Sequence, residues 1–238
     1  MKSIVVIPAR YGSTRLPGKA LADINGKPLI QWVYERARES TLQSGVVVAT
    51  DDERIRETCI SFGASVAMTS KDCKSGTDRV WEAIRETDAD IIVNVQGDEP
   101  QIRGDMIDQL IGAVETEHLQ MATLSTFITE PHDYKSPHSV KVVLDRSGFA
   151  LYFSRAPLPF FQQSISIPTY RHIGIYAFSR QFLETFVSLP PGKLEQAESL
   201  EQLRALEAGY RIKVLLTDYE GIGVDTENDL ERVRKLLK

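Results

Sequence analysis

The chain has 238 residues, 42% of them hydrophobic, and a formal net charge of −5 from 28 Lys and Arg against 33 Asp and Glu. That length suits one α/β domain, and the hydrophobic content supports a sizeable core and excludes a disordered chain. The acidic balance argues against nucleic acid or an anionic membrane as partner.

In chain order, "SIVVIPA" predicts a buried strand, and "KPLIQWVYERARES" a helix with Leu29, Ile30, Val33 and Ala37 on one face. "GVVVAT" predicts a second strand, and "DDERIRETCISFG" a polar helix ending at Gly63. "SVAMTS" follows as a short strand, "TDRVWEAIRET" as a helix and "DIIVNVQ" as a strand apolar through its centre. Strands buried on both faces and separated by helices predict a parallel sheet of βαβ units.

The pattern changes at about residue 120. Up to about residue 180, "MATLSTFI", "SVKVVLD", "FALYFS" and "HIGIYAF" are strand-like with few helices between them. They predict a mixed or antiparallel elaboration, suited to dimerisation, within a single domain spanning 1–238. The prolines of "RAPLPFFQQSISIP" predict an irregular loop. A helix over "KLEQAESLEQLRALEAG", a strand at "YRIKVLL" and a last helix at "TENDLERVRKLLK" complete the series. Cys59 and Cys73 lack metal-ligand spacing and read as free thiols of a reducing compartment. The first apolar run is too short for a signal sequence, and no stretch approaches about 18 apolar residues, so a cytoplasmic protein is expected.

The loop "PARYGSTRLPGK" leaves the carboxyl end of the first strand, where open α/β sheets bind ligands. It is no Walker A loop: five residues separate Gly12 from Gly18, and Ala20 follows Lys19 where Ser or Thr is required. It also lacks the G-x-G-x-x-G dinucleotide fingerprint. Still, small residues (Ala9, Gly12, Ser13) let backbone N–H groups approach a phosphate, and Arg10, Arg15 and Lys19 bring positive charge. The competing reading is a solvated turn with incidental charge.

Asp98, in "VNVQGDEP", falls just past a buried strand, and Asp225, in "GVDTENDLERV", falls before a helix that Thr226 would cap. Two carboxylates at this edge, facing a basic loop, suit Mg²⁺, which takes one or two carboxylates plus substrate phosphates. A turn residue and a helix-dipole partner are the alternatives. "DAD" at 88–90 precedes its strand and so lies at the wrong end of the sheet for a metal motif. Ser75, Thr77 and Arg79 in "SGTDRV" suit either nucleotide contacts or helix capping, and His172 alone suggests a structural histidine.

Taken together, "IPARYGSTRLPGK", "SGTDR", "VNVQGDEP", "VKVVLD", "ALYFSR", "RHIGIYAF", "LEQLR" and "GVDTENDLERV" resemble the 3-deoxy-manno-octulosonate (Kdo) cytidylyltransferases, within the sugar nucleotidyltransferase superfamily. The motifs span essentially the whole chain. The resemblance implies a Rossmann-like, mostly parallel sheet flanked by helices, a homodimer, and Mg²⁺-dependent transfer of the cytidylyl group of CTP to Kdo on the route to lipopolysaccharide. It implies that Arg10 and Lys19 bind the triphosphate, and that Ala9, Ser13, Ser75, Arg79 and Gln96 contact the nucleotide. It further implies that Asp98 and Asp225 hold Mg²⁺ and that Arg155, His172, Tyr176, Glu201 and Gln202 line the sugar pocket. The loop and both aspartates would equally serve a cytidylyltransferase for 8-amino-Kdo or sialic acid. A glycosyltransferase that consumes a nucleotide sugar would differ in releasing no pyrophosphate.

Overall fold

The computed structural model describes residues 1–12, 16–163 and 167–237. Strand β1 (Ser3–Ala9) is followed by the short pair β2 (Asp23–Ile24) and β3 (Lys27–Pro28), then α1 (Leu29–Ala37), β4 (Val46–Thr50) and α2 (Glu53–Ser61). Next come β5 (Ser65–Met68), α3 (Gly76–Ile84), β6 (Ile91–Asn94), α4 (Gly104–Glu117), β7 (Met121–Phe127) and α5 (Pro131–Lys135). The chain continues through β8 (Lys141–Leu144), β9 (Ala150–Ser154), β10 (Tyr170–Ser179), α6 (Arg180–Ser188), α7 (Lys193–Glu198), α8 (Leu203–Glu207), β11 (Lys213–Leu216) and α9 (Glu227–Leu236).

The sheet runs β11-β7-β10-β6-β1-β4-β5, with β8 and β9 extending from β10. β1 pairs in parallel with β4 and β6, and β5 with β4, as the apolar runs predict. Val5, Val6 and Ile7 are all fully buried because both faces of β1 are covered. Val5 and Ile7 pack with α1, α2 and α4 through Ile30, Val33, Ile55, Ile107 and Leu110. Val6 faces the other way, onto Val80 and Ile84 of α3 and Phe182 and Phe186 of α6.

The expected antiparallel part is present and runs inside the sheet: β10 pairs antiparallel with both β6 and β7, and β11 closes the edge in parallel with β7. The β8–β9 hairpin extends from β10. The helix predicted over "KLEQAESLEQLRALEAG" is broken between α7 and α8, with Ser199 left-handed at φ 52°. The break buries Leu200 and Gln202 while Glu198 accepts hydrogen bonds from Ser154 Oγ and Arg155 N, so tertiary contacts override local helix propensity. Helices α4 and α6 join the predicted set. The Met106, Ile107, Leu110, Ile111, Val114 stripe of α4 has the helical spacing that announces it.

Candidate active site

The loop after β1 folds back on itself. Gly18 N–H donates to Tyr11 O at 3.1 Å, and Gly18 is left-handed at φ 69°, with a Cβ there lying 3.2 Å from the Tyr11 ring. Arg54 stacks on the Tyr11 ring with its guanidinium carbon 3.3 Å from the centroid, and Asp52 holds Arg54 by two side-chain hydrogen bonds of 2.9 and 2.7 Å. This strut sets the path of the chain into the 3-10 turn Lys19–Leu21. Gly97 lets the segment after β6 approach β1, since a Cβ there would sit 3.0 Å from Pro8 O. Val224 N–H donates to Asp98 O at 2.8 Å, which fastens the segment carrying Asp225 beside the one carrying Asp98. Thr226 and Asp229 then form a reciprocal cap that starts α9.

These constraints bring Lys19, Asp98 and Asp225 together. Lys19 Nζ donates to Asp98 Oδ2 at 2.7 Å and to Asp225 Oδ1 at 3.1 Å. Burial opposes the Lys19 charge, but the two carboxylates outweigh it and hold its pKa above the usual value. Glu99, which the sequence reading missed, lies beside Asp98 and accepts from Tyr219 Oη at 3.0 Å; burial and the Asp98 charge push its pKa up to about 7. Among the described residues no group of three or more His, Cys, Asp or Glu converges as a metal cluster. Two carboxylates converging on one cation nevertheless match the protein share of an Mg²⁺–triphosphate site.

Arg10 is exposed past the end of β1 and lines a cleft of about 320 Å³ with Tyr11, Gly12, Arg54, Lys71 and Arg79. Ala9, the last residue of β1, is buried. Arg79 is buried too, donating to Asp51 at 3.0 Å and to Thr69 Oγ1, so its side chain forms a wall of that cleft. Ser13 and Arg15 lie outside the described residues. Ser75 caps α3, accepting from Asp78 N–H at 3.1 Å, and so takes the capping role that was the alternative for it.

A hydrogen-bonded row joins the two halves of the expected site. Gln96 Nε2 donates to Asn94 Oδ1 at 3.3 Å, Asn94 Nδ2 to Thr77 Oγ1 at 3.4 Å, and Thr77 Oγ1 to Glu201 Oε2 at 2.5 Å. Asn94 was the hidden link, its signal a polar side chain on an otherwise apolar strand; Thr77, a candidate for nucleotide contacts or capping, turns out to bridge it to Glu201. Glu201 sits in the break between α7 and α8, and burial raises its pKa against the pull of Thr77 and Ser75. Glu201 Oε1 and Gln202 Nε2 are buried and, among the described residues, have no hydrogen-bond partner.

Tyr176 is buried beside them, with its ring tilted against His172 at 5.5 Å. Thr123 Oγ1 donates to Ile175 O at 2.7 Å and lies 3.0 Å from His172 Nε2, so Nε2 carries the imidazole proton and Nδ1 is left as an acceptor. Burial pushes the His172 pKa down to about 3. Arg155 spends its guanidinium on Glu198 O, Pro137 O and Ser199 O at 2.8, 3.0 and 3.3 Å, bracing the turn that carries Glu201. Lys141 backs it from inside, fully buried, with its ammonium donating to Ser136 O and Arg155 O at 2.7 Å each and also to Ser139 O.

The sequence pattern of the cytidylyltransferase family matches residues 4–213. A protein of Geobacter sulfurreducens named 3-deoxy-manno-octulosonate cytidylyltransferase is 52% identical over 250 positions, covering all of both chains. Its namesake in Thermodesulfovibrio yellowstonii is 49% identical over 251 positions, covering all of this chain and 98% of that one. The chain belongs to the 3-deoxy-manno-octulosonate cytidylyltransferases. The solved structure of CMP:2-keto-3-deoxy-manno-octonic acid synthetase complexed with CTP matches this cytidylyltransferase with a TM-score of 0.95 at 45% identity, over all of this chain and 98% of that one. A cytidylyltransferase from Leptospira borgpetersenii shares the fold, with a TM-score of 0.67 at 21% identity over 98% of this chain and 85% of that one.

Proposed function

We propose that this cytidylyltransferase joins CTP and Kdo to give CMP-Kdo and pyrophosphate. The observation that carries the reading is the Lys19–Asp98–Asp225 cluster at the mouth of the glycine-rich loop, in a chain of this family. The anomeric hydroxyl of Kdo attacks the α-phosphorus, the new O–P bond forms in line as the bond to pyrophosphate breaks, and the hydroxyl proton passes to solvent. Arg10 and Lys19 neutralise charge growing on the leaving pyrophosphate, and such prepositioned charge is usually the largest catalytic contribution. Asp98 and Asp225 would hold Mg²⁺, whose chemistry when bound is to neutralise phosphate charge and acidify the attacking hydroxyl.

The sugar stands against Tyr176, Glu201, Gln202 and His172. Glu201 Oε1, which lacks a hydrogen bond and lies 3.7 Å from the Arg204 guanidinium, accepts from a sugar hydroxyl, Gln202 Nε2 donates to one, and His172 Nδ1 accepts. Arg155 positions this turn. The chain works as a cytoplasmic homodimer through its strand-rich part, where Leu151 and Phe160 stand exposed. None of the helices among the described residues is long and apolar enough to cross a membrane.

The test is pyrophosphate release from CTP and Mg²⁺ with Kdo, 8-amino-Kdo, sialic acid or no sugar. Release with Kdo alone is expected. Release only with another sugar would reassign the pocket, and silence in all four would remove the activity.

A further inference from the structure

The two aspartates assigned to the metal already share a cation, the ammonium of Lys19. Its side chain is 17% exposed, against 30% for Asp98 and 42% for Asp225, so the lysine is the most sheltered of the three side chains. Without it, the two carboxylates that the Val224–Asp98 backbone bond holds side by side would lose the cation that bridges them. With it, an incoming divalent cation meets a like charge at the oxygens it needs.

We propose that Lys19 is a built-in placeholder: in the nucleotide-free chain its ammonium occupies the carboxylate pair, keeps free divalent metal out, and leaves when a triphosphate arrives. This rests on the reading of Asp98 and Asp225 as metal ligands. The triphosphate is the stronger competitor for the ammonium because it concentrates more negative charge in the same loop. As Lys19 Nζ turns to the phosphates, Asp98 Oδ2 and Asp225 Oδ1 are released to the metal that the nucleotide carries in.

The backbone is built for a motion of the side chain alone. Left-handed Gly18, the Lys19 N–H bond to Leu16 O at 3.1 Å and the Ala22 N–H bond to Lys19 O at 3.0 Å pin the main chain on both sides. The four-carbon lysine stem supplies the swing, and its point-like ammonium has no fork geometry to break. Metal loading thereby becomes conditional on nucleotide, and free metal does not fill the site of the nucleotide-free chain.

The experiment counts bound Mn²⁺ by electron paramagnetic resonance on the full chain, with and without CTP and with no sugar present. Wild type and Lys19→Arg are expected to bind Mn²⁺ weakly alone and well with CTP. Lys19→Met is expected to bind Mn²⁺ without CTP roughly tenfold or more tightly than wild type. Its melting temperature should fall in EDTA and recover on adding Mn²⁺ alone, a recovery wild type lacks. Lys19→Gln provides the same comparison should Lys19→Met not fold.

Equal free-Mn²⁺ affinity in wild type and the uncharged variants overturns the placeholder. So does wild type that binds Mn²⁺ as tightly without CTP as with it. In both cases, loss of Mn²⁺ binding in Asp98→Asn would leave the metal assignment standing. Wild type that binds no Mn²⁺ even with CTP overturns both.

Discussion

Lys19 lies 79 residues before Asp98 and 206 before Asp225, yet its ammonium touches both. Replacing either aspartate by Asn keeps the size of the side chain and removes the charge. Asp98→Asn or Asp225→Asn is therefore expected to abolish turnover with an unchanged circular dichroism spectrum; near-normal activity would remove that residue from the site. His172 makes a different prediction, on stability. Its folded pKa of about 3 lies below its ordinary 6.5, so the unfolded chain binds the extra proton between these values. Stability from this group is complete above about pH 6.5 and is lost as pH falls toward 3. Urea midpoints measured across that window should drop less steeply in His172→Gln than in wild type. The acceptor Nδ1 follows from the same geometry, because Thr123 Oγ1 already accepts the hydrogen bond that Nε2–H donates.

At the scale of elements, the strands were legible because most are short apolar runs, and β1 and β6 are buried on both faces. The β2–β3 pair was not, since two-residue strands leave no periodicity to read. The break between α7 and α8 was hidden for another reason. Its residues are good helix formers, and only the pull of Ser154 and Arg155 on Glu198 diverts them. Helix α4 illustrates how tightly the elements are docked. A Cβ on its first residue, Gly104, would lie 2.4 Å from the Glu39 carbonyl carbon, just past α1. Both clashing groups are backbone, so neither can move aside cheaply. Gly104→Ala should cost about 1–3 kcal/mol by overpacking, read as a lower denaturation midpoint with kcat little changed in the surviving fold.

For the whole molecule, the decisive feature is a third apolar cluster apart from the two sheet faces. Ile24 and Leu29 from the first part of the chain pack with Val224, Leu230, Val233 and Leu237 from the last, and Leu16, Ala22 and Trp32 join at its margin. Asn25 Nδ2 donates to Arg234 O at 2.8 Å, and Arg234 Nε to Asp23 O at 2.9 Å. The cluster thus ties α9, and with it Asp225, to the turn that carries Lys19. Leu230 is 2% exposed, so Leu230→Ala should cost about 2–5 kcal/mol. It should also weaken CTP binding, although Leu230 belongs to an apolar cluster rather than to the nucleotide loop. A stability loss with an unchanged KM for CTP would show that the cluster does not position the loop.

By itself the sequence determined the alternation of strands and helices, the loop after β1 and both aspartates, because these rest on local patterns: burial periodicity, glycine placement and charge beside a strand end. It also located the capped starts of α3 and α9, where Ser75 and Thr226 bond within their own turn. Tertiary structure alone decided that β7 and β10 run inside the sheet and that Arg155 and Arg79 brace walls. It alone also placed the Lys19 ammonium between the two aspartates. Each of these depends on which distant segment supplies the partner, and pairing energies between distant side chains leave no periodic trace in the chain.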